Sequence, residues 1–209
     1  MHPEDEGRKS PARRRRRTPE VAEGEIIAAA EAFLRERPFR ELTVDEVMRR
    51  TDLSRPSFYV YFTDRHQLVL RVVEDLGAEL FTMSDRWLSG TGEGPELARQ
   101  ALDGIVAVYG EHGPVMRALA DAAADDPGVE QAYAALVQRF VDATARHIEV
   151  EIAAGRILPL DANETAKALV WMMERYLILS LGREPLTPAP AVADTLATIW
   201  TRVLYRAGQ

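Results

Sequence analysis

The sequence predicts an all-α protein of about nine helices. From Glu20 onward, apolar residues recur at spacings of three and four, which gathers them on single helix faces. No run alternates with period two for long, so strands are not expected. Capping residues and Pro or Gly breaks divide the chain into helix-length pieces. The chain has 209 residues, 46% hydrophobic and 28% charged, the balance of a soluble globular protein long enough to bury a real core.

The first helix carries Ile26, Ile27, Ala30, Phe33 and Leu34 on one face and stops at Pro38. Thr43 opens the second, with Glu46 three residues on as its capping-box partner, and Val44, Val47 and Met48 face inward. Thr51, Asp52 and Leu53 form a tight turn. Ser54 then caps a short third helix that tolerates Pro56 in its first turn. Asp64 caps a long fourth helix whose inner side holds Val69, Val72, Val73, Leu76, Leu80, Met83 and Trp87. The segment Gly90 to Pro95 breaks the chain, and further helices are expected at about 96–110, 113–123, 127–154, 162–182 and 190–206. No internal repeat is present.

Charge is unevenly placed. Residues 1–65 carry 14 Lys+Arg against 13 Asp+Glu, a net +1, while residues 66–209 carry 12 against 20, a net -8. Much of the positive charge is the run Arg13, Arg14, Arg15, Arg16 and Arg17, preceded by Arg8 and Lys9. A basic front on an acidic body suits a polyanion partner for the front alone, or a solvated tail that aids solubility. Residues 1–18 lack the apolar content to offset ordering entropy and are expected to be a disordered basic arm. No apolar run approaches the roughly 20 residues needed to span a bilayer, and the basic start has no signal-peptide core, so the cytosol is the expected compartment. With no cysteine, disulfides, zinc-thiolate sites, iron–sulfur clusters and thiol catalysis are excluded.

Leu42 to Phe62 reads LTVDEVMRRTDLSRPSFYVYF: two short helices joined by a tight turn behind a longer helix. This spacing fits a helix-turn-helix, although an ordinary packed helix pair would give the same pattern. In a helix-turn-helix, the start of the second helix faces base edges and phosphates. Ser54, Arg55 and Ser57 lie there, while Leu53 and Phe58 point to the core. The run Ser54 to Phe62, followed by Thr63-Asp64-Arg65 and Leu68, resembles the signature of the TetR family of bacterial regulators. The same run, the Glu174-Arg175 pair in an apolar helix and Trp200 most resemble the family's EthR-type repressors. Two departures stand out. Arg65 replaces the usual Lys, keeping positive charge near a phosphate, and Asp52 replaces a frequent Gly in the turn, where a left-handed residue costs more.

The resemblance implies a role for each position. Thr43 would donate to a phosphate at the positive end of its helix. Ser54, Arg55, Pro56 and Ser57 would lie at the groove, with Arg55 reading a guanine edge or holding a phosphate. Tyr59 and Tyr61 would bond phosphates through their hydroxyls, unless Tyr61 packs inward. The arginine arm would follow the backbone or enter a minor groove, making affinity fall steeply with salt.

The expected division is an arm at 1–18, a helix-turn-helix domain at 19–66, and a ligand-binding and dimerisation domain at 67–209. The last two helices carry a wide apolar band that is either core or a partner surface. The resemblance implies a twofold dimer through them, matching a near-palindromic double-stranded DNA operator. Ile105, Tyr109, Met116, Tyr133, Phe140, Thr144, Val170, Trp171, Met173 and Trp200 are plain core or, by resemblance, line a lipophilic pocket for a small hydrophobic effector. Val170 and Met173 replace amide side chains of close relatives, which implies a pocket without polar anchors. No cofactor, metal or catalytic residue is expected. His147 and Glu151, one turn apart, lack a third ligand and are expected as a surface ion pair, and the Gly90–Gly94 run imitates a phosphate loop only loosely. These signs together point to a transcription regulator, most simply a homodimeric repressor released by its ligand. A ligand-binding helical protein and a nonspecific DNA binder using the arm are the alternatives.

Overall fold

A computed structural model describes residues 18–90 and 93–205, so the arginine run and all of the expected arm but Thr18 lie outside the described residues. Within them the chain forms eight α-helices, one 3-10 turn and no strand. They are α1 (Pro19–Glu36), α2 (Val44–Met48), α3 (Arg55–Tyr61), α4 (Arg65–Leu88), α5 (Gly94–Ala123), α6 (Pro127–Ala153), α7 (Ala162–Leu181) and α8 (Ala189–Leu204), with the 3-10 turn at Phe39–Glu41. The helix starts follow local chemistry. Asp64 accepts from the His66 and Gln67 amides, Asp126 from Gly128 and Val129, and Asp161 from Glu164.

Two caps are simpler than the sequence suggests. Thr43 Oγ1 accepts from the Glu46 amide at 3.2 Å, but the Glu46 carboxylate reaches forward to Arg49 and Arg50 instead of back. Three nearby guanidinium groups outcompete one amide for that carboxylate. Ser54 Oγ meets Ser57 Oγ at 2.9 Å and caps no amide. The turn between α2 and α3 needs no left-handed residue, since every non-glycine φ among the described residues is negative. The Asp52 amide is satisfied by Glu25 Oε1 at 2.8 Å.

The expected break between 110 and 113 does not occur, and α5 runs unbroken through Pro114. Proline removes one intrahelical hydrogen bond, a cost of about 3 kcal/mol in an isolated helix. Packing on both sides of the site offsets it: Tyr109, Gly113, Val115 and Met116 are all buried. At Gly113 the backbones of α5 and α7 nearly touch, and a Cβ there would sit 2.2 Å from the Leu181 carbonyl oxygen.

Helix α5 is the axis of the molecule and packs on α1, α4, α6, α7 and α8. One contiguous apolar core runs from Ile26 to Tyr205. The inner side of α4 is buried as expected except for Met83, which is 39% exposed. The first three helices and the start of α4 are tied to their neighbours at several points. Arg65 Nη1 donates to the Leu42 carbonyl at 2.9 Å, Arg35 donates to the Glu111 carbonyl, and His66 Nε2 lies 2.8 Å from Asp126 Oδ2.

Candidate DNA-reading surface and interior cavity

Helix α3 is anchored by Phe58, fully buried, and by Phe62 just beyond its end. With that face inward, Ser54, Arg55, Pro56, Tyr59 and Val60 are exposed, and Ser57 is half-buried. Val60 is 74% exposed and was not singled out from sequence. Its position four residues after Pro56 puts it on the same face, where an apolar side chain suits a thymine methyl. Arg55 Nε bonds Asp45 Oδ1 at 2.6 Å, and its guanidinium lies 5.6 Å from the centre of the Tyr59 ring. The group is thereby held over the exposed face of α3. Thr43 Oγ1 is used as an acceptor, so its hydroxyl proton remains free to donate.

Two expected contact residues also make contacts within the protein. Tyr61 is half-buried against the core. Arg65 is half-buried, bonded to Leu42 and stacked 5.0 Å from the Phe39 ring centre, so it joins α4 to the segment before α2 instead of standing free beside a phosphate. A guanidinium's planar fork favours such a carbonyl-and-ring seat over solvent.

Between α4, α5, α6 and α7 lie two adjoining cavities of about 40 and 20 Å³. The larger is bordered by Ile105, Tyr109, Met116, Tyr133, Phe140, Val170 and Met173, together with Leu80, Leu136, Val137 and Glu174. The smaller is bordered by Ile105, Phe140, Thr144, Val170, Met173 and Trp200, with Ser84 and Trp87 from α4 among its other walls. Ile105, Phe140, Val170 and Met173 border both and form the partition. Trp171 does not belong to this set. It is 40% exposed, because one residue beyond Val170 turns a helix by about 100°, away from the interior.

The larger cavity also has a buried polar residue on its wall that sequence reasoning missed. Glu174 is 5% exposed and borders the larger cavity. Its Oε1 accepts from the Tyr133 hydroxyl at 2.6 Å. Burial raises the Tyr133 hydroxyl pKa above the ordinary tyrosine range, and the nearby Tyr109 and Glu174 add to it. Tyr109 is raised likewise, by burial first and the Glu174 charge second. The available signal was a carboxylate one turn after Val170 on an otherwise apolar helix.

His147 and Glu151 correct another expectation, since they are buried at 4% and 2% exposure and form no surface pair. Glu151 accepts from Arg156 Nε at 2.8 Å. The His147 ring packs 4.3 Å from Trp87, centre to centre, and burial lowers its pKa despite a hydrogen bond to the Leu88 backbone and the Glu151 charge. Among the described residues no three His, Cys, Asp or Glu side chains are grouped to hold a metal. A wider concavity, about 610 Å³, is an open groove of mixed charge between α1 and α5, with Arg37, Arg117, Asp121 and Asp125 among its walls. It lacks the apolar enclosure of a small-molecule site.

An exposed, aromatic-anchored helix-turn-helix fastened to an all-helical body defines a class, the helix-turn-helix transcription regulators. The chain belongs to the TetR family of bacterial regulatory proteins, whose model matches residues 26–72, and its body matches the model described as the C-terminal domain of the transcriptional regulator EthR over residues 98–206. It is 33% identical over 188 residues to the HTH-type transcriptional regulator EthR of Mycobacterium tuberculosis strain H37Rv, covering 86% of this chain and 85% of that one. The EthR of Mycolicibacterium smegmatis is 28% identical, covering 88% of this chain and 86% of its own length. The fold is shared with a TetR-family regulator from Syntrophomonas wolfei at a TM-score of 0.78 and 12% identity, covering 89% of this chain and 96% of that one. No helix among the described residues is long and apolar enough to cross a membrane.

Proposed function

We propose that the chain is a cytoplasmic, non-enzymatic repressor that binds a near-palindromic operator as a homodimer and is released by a small, largely apolar effector. The observation that carries this reading is the pairing of two features along α4. Its Leu80, Ser84 and Trp87 border the cavities, while Arg65 at its other end is bonded to the segment before α2. The division into an arm at 1–18, a DNA-reading unit at 19–66 and a sensing body at 67–209 belongs to the same proposal.

Both cavities are far smaller than the roughly 300 Å³ of an ordinary ligand pocket. An effector must therefore part α4, α5, α6 and α7 to enter. Displacement of α4 would move Arg65 and the helices it holds, changing the distance between two recognition helices. Release requires that the effector bind this opened state more tightly than the DNA-binding state. Dimerisation through α7 and α8 is supported by their outer faces, where Trp171, Leu179 and Val203 stand 40%, 66% and 47% exposed.

Selection of bound fragments from the source genome, then salt titration on the best fragment, tests the reading. The expected result is a palindrome held selectively at physiological salt, with the affinity falling as salt rises. Binding without sequence preference, lost on deletion of residues 1–18, would instead identify a nonspecific binder driven by the arm.

A further inference from the structure

Glu174 is the single charged residue bordering the two apolar cavities among the described residues. It lies beside Met173 and one turn past Val170, so all three share the interior face of α7. Its side chain is 6% exposed. Oε1 is satisfied by the Tyr133 hydroxyl, whose single proton is committed there. Oε2 is buried and has no hydrogen-bond partner. Arg175, at 58% exposure, brings Nε to 3.7 Å of that oxygen, too far for a hydrogen bond. A buried carboxylate oxygen with no donor is costly, and native interiors rarely keep one.

The apolar walls of the larger cavity have no donor to offer, and the Tyr109 hydroxyl, the remaining donor on its lining, makes no hydrogen bond to Oε2. The missing partner is best supplied from inside the cavity. We propose that the effector is a lipophilic amine or amidine, whose cationic nitrogen donates to Glu174 Oε2 while its apolar part occupies the space between Phe140, Val170 and Met173. This rests on the cavity being the effector site. It replaces the expectation of an effector without polar anchors. A carboxylate ligand of equal shape would be repelled, and a neutral alcohol would gain a hydrogen bond without the charge.

The test uses the full-length protein and three probes of one skeleton: phenylbutylamine, phenylbutanol and phenylbutyrate. Calorimetric titration is performed on the wild type, on Glu174→Gln, which keeps the shape and the Tyr133 bond, and on Val170→Phe, which fills the partition. Met173→Phe replaces the last if Val170→Phe does not unfold cooperatively. The expected result is amine binding about ten-fold or more tighter than alcohol or acid. Glu174→Gln should bring the amine to the alcohol's affinity while leaving the alcohol unchanged, and the cavity-filling variant should weaken every probe that binds. Equal binding of amine and alcohol, both weakened by cavity filling, would keep the cavity as the ligand site and overturn the cationic anchor. Binding that cavity filling leaves untouched, or no binding by any probe, would overturn the effector-site reading and the anchor together.

Discussion

The near-contact of α5 and α7 at Gly113 sets up a paired experiment with opposite outcomes. An alanine Cβ at Gly113 would lie 2.2 Å from the Leu181 oxygen, 2.8 Å from its carbonyl carbon and 3.3 Å from the Gly182 nitrogen. Ordinary contacts begin near 3.4 Å, so the end of α7 would have to retreat by about 1 Å, and a backbone cannot rotate aside as a side chain can. Overpacking of this kind costs about 1–3 kcal/mol. The gain in helix propensity from Gly to Ala returns about 1 kcal/mol, leaving a net loss of up to about 2. In a chain of this length that lowers Tm by up to about 8 °C. Gly110, three residues earlier on the same helix, has nothing within 4 Å of an added Cβ. Gly110→Ala should therefore stabilise by about 1 kcal/mol and raise Tm by about 2–4 °C. Thermal unfolding of both variants, followed by far-ultraviolet circular dichroism, reads the two shifts. A Gly113→Ala protein as stable as Gly110→Ala would refute the account of the crossing and of why α5 survives Pro114.

Other outcomes follow from the buried cluster, the reading face and the outer faces of α7 and α8. His147 has a lowered pKa in the fold, so the unfolded chain binds its proton more readily. Stability should therefore fall as pH drops below the ordinary histidine value of 6.5, and His147→Phe should flatten urea midpoints there. Glu151 is also lowered, chiefly by its hydrogen bond from Arg156, but its contribution is lost only as pH falls below its ordinary 4.5, so the two windows separate. Arg55→Ala should weaken operator binding by about 1–3 kcal/mol and relax preference at one base position, as measured by competition with point-changed operators. If it weakens all sequences alike, Arg55 holds a phosphate and reads no base. Leu179→Glu should shift the protein toward monomer in analytical ultracentrifugation, and an unchanged sedimentation coefficient would remove α7 from the dimer interface.

Local chemistry made much of the molecule legible. The caps at Thr43 and Asp64, the Pro38 stop and the inward Phe58 are all decided within a few residues of themselves. At several departures the deciding partner is distant in sequence. Pro114 reads as a breaker until α7 closes against α5. Arg65 reads as a free cation until the Leu42 carbonyl and the Phe39 ring are brought beside it. His147 and Glu151 read as a surface pair because helical spacing does not reveal that Trp87 and the end of α4 cover them. All the residues expected around a pocket border the two cavities except Trp171, and there an aromatic residue on an apolar helix was assigned to the wrong face. Glu174 was noticed only as part of a resemblance, since one acidic residue on an apolar helix gives no sign of what surrounds it.

The partition shared by the two cavities has a consequence for dose. Ile105, Phe140, Val170 and Met173 already occupy the space that an effector needs, and Phe140 stacks 4.0 Å from Phe81 on α4. Under the proposed function, an incoming effector would compete with the protein's own side chains, and its apparent affinity would be reduced by the fraction of chains already open. On the same proposal, tiny solutes that cannot replace the displaced contacts would leave the promoter silent, whatever their abundance. Sensitivity is thereby separable from recognition. Shortening Phe140 would lower the concentration at which the switch responds, while the groups that distinguish one effector from another stay as they are.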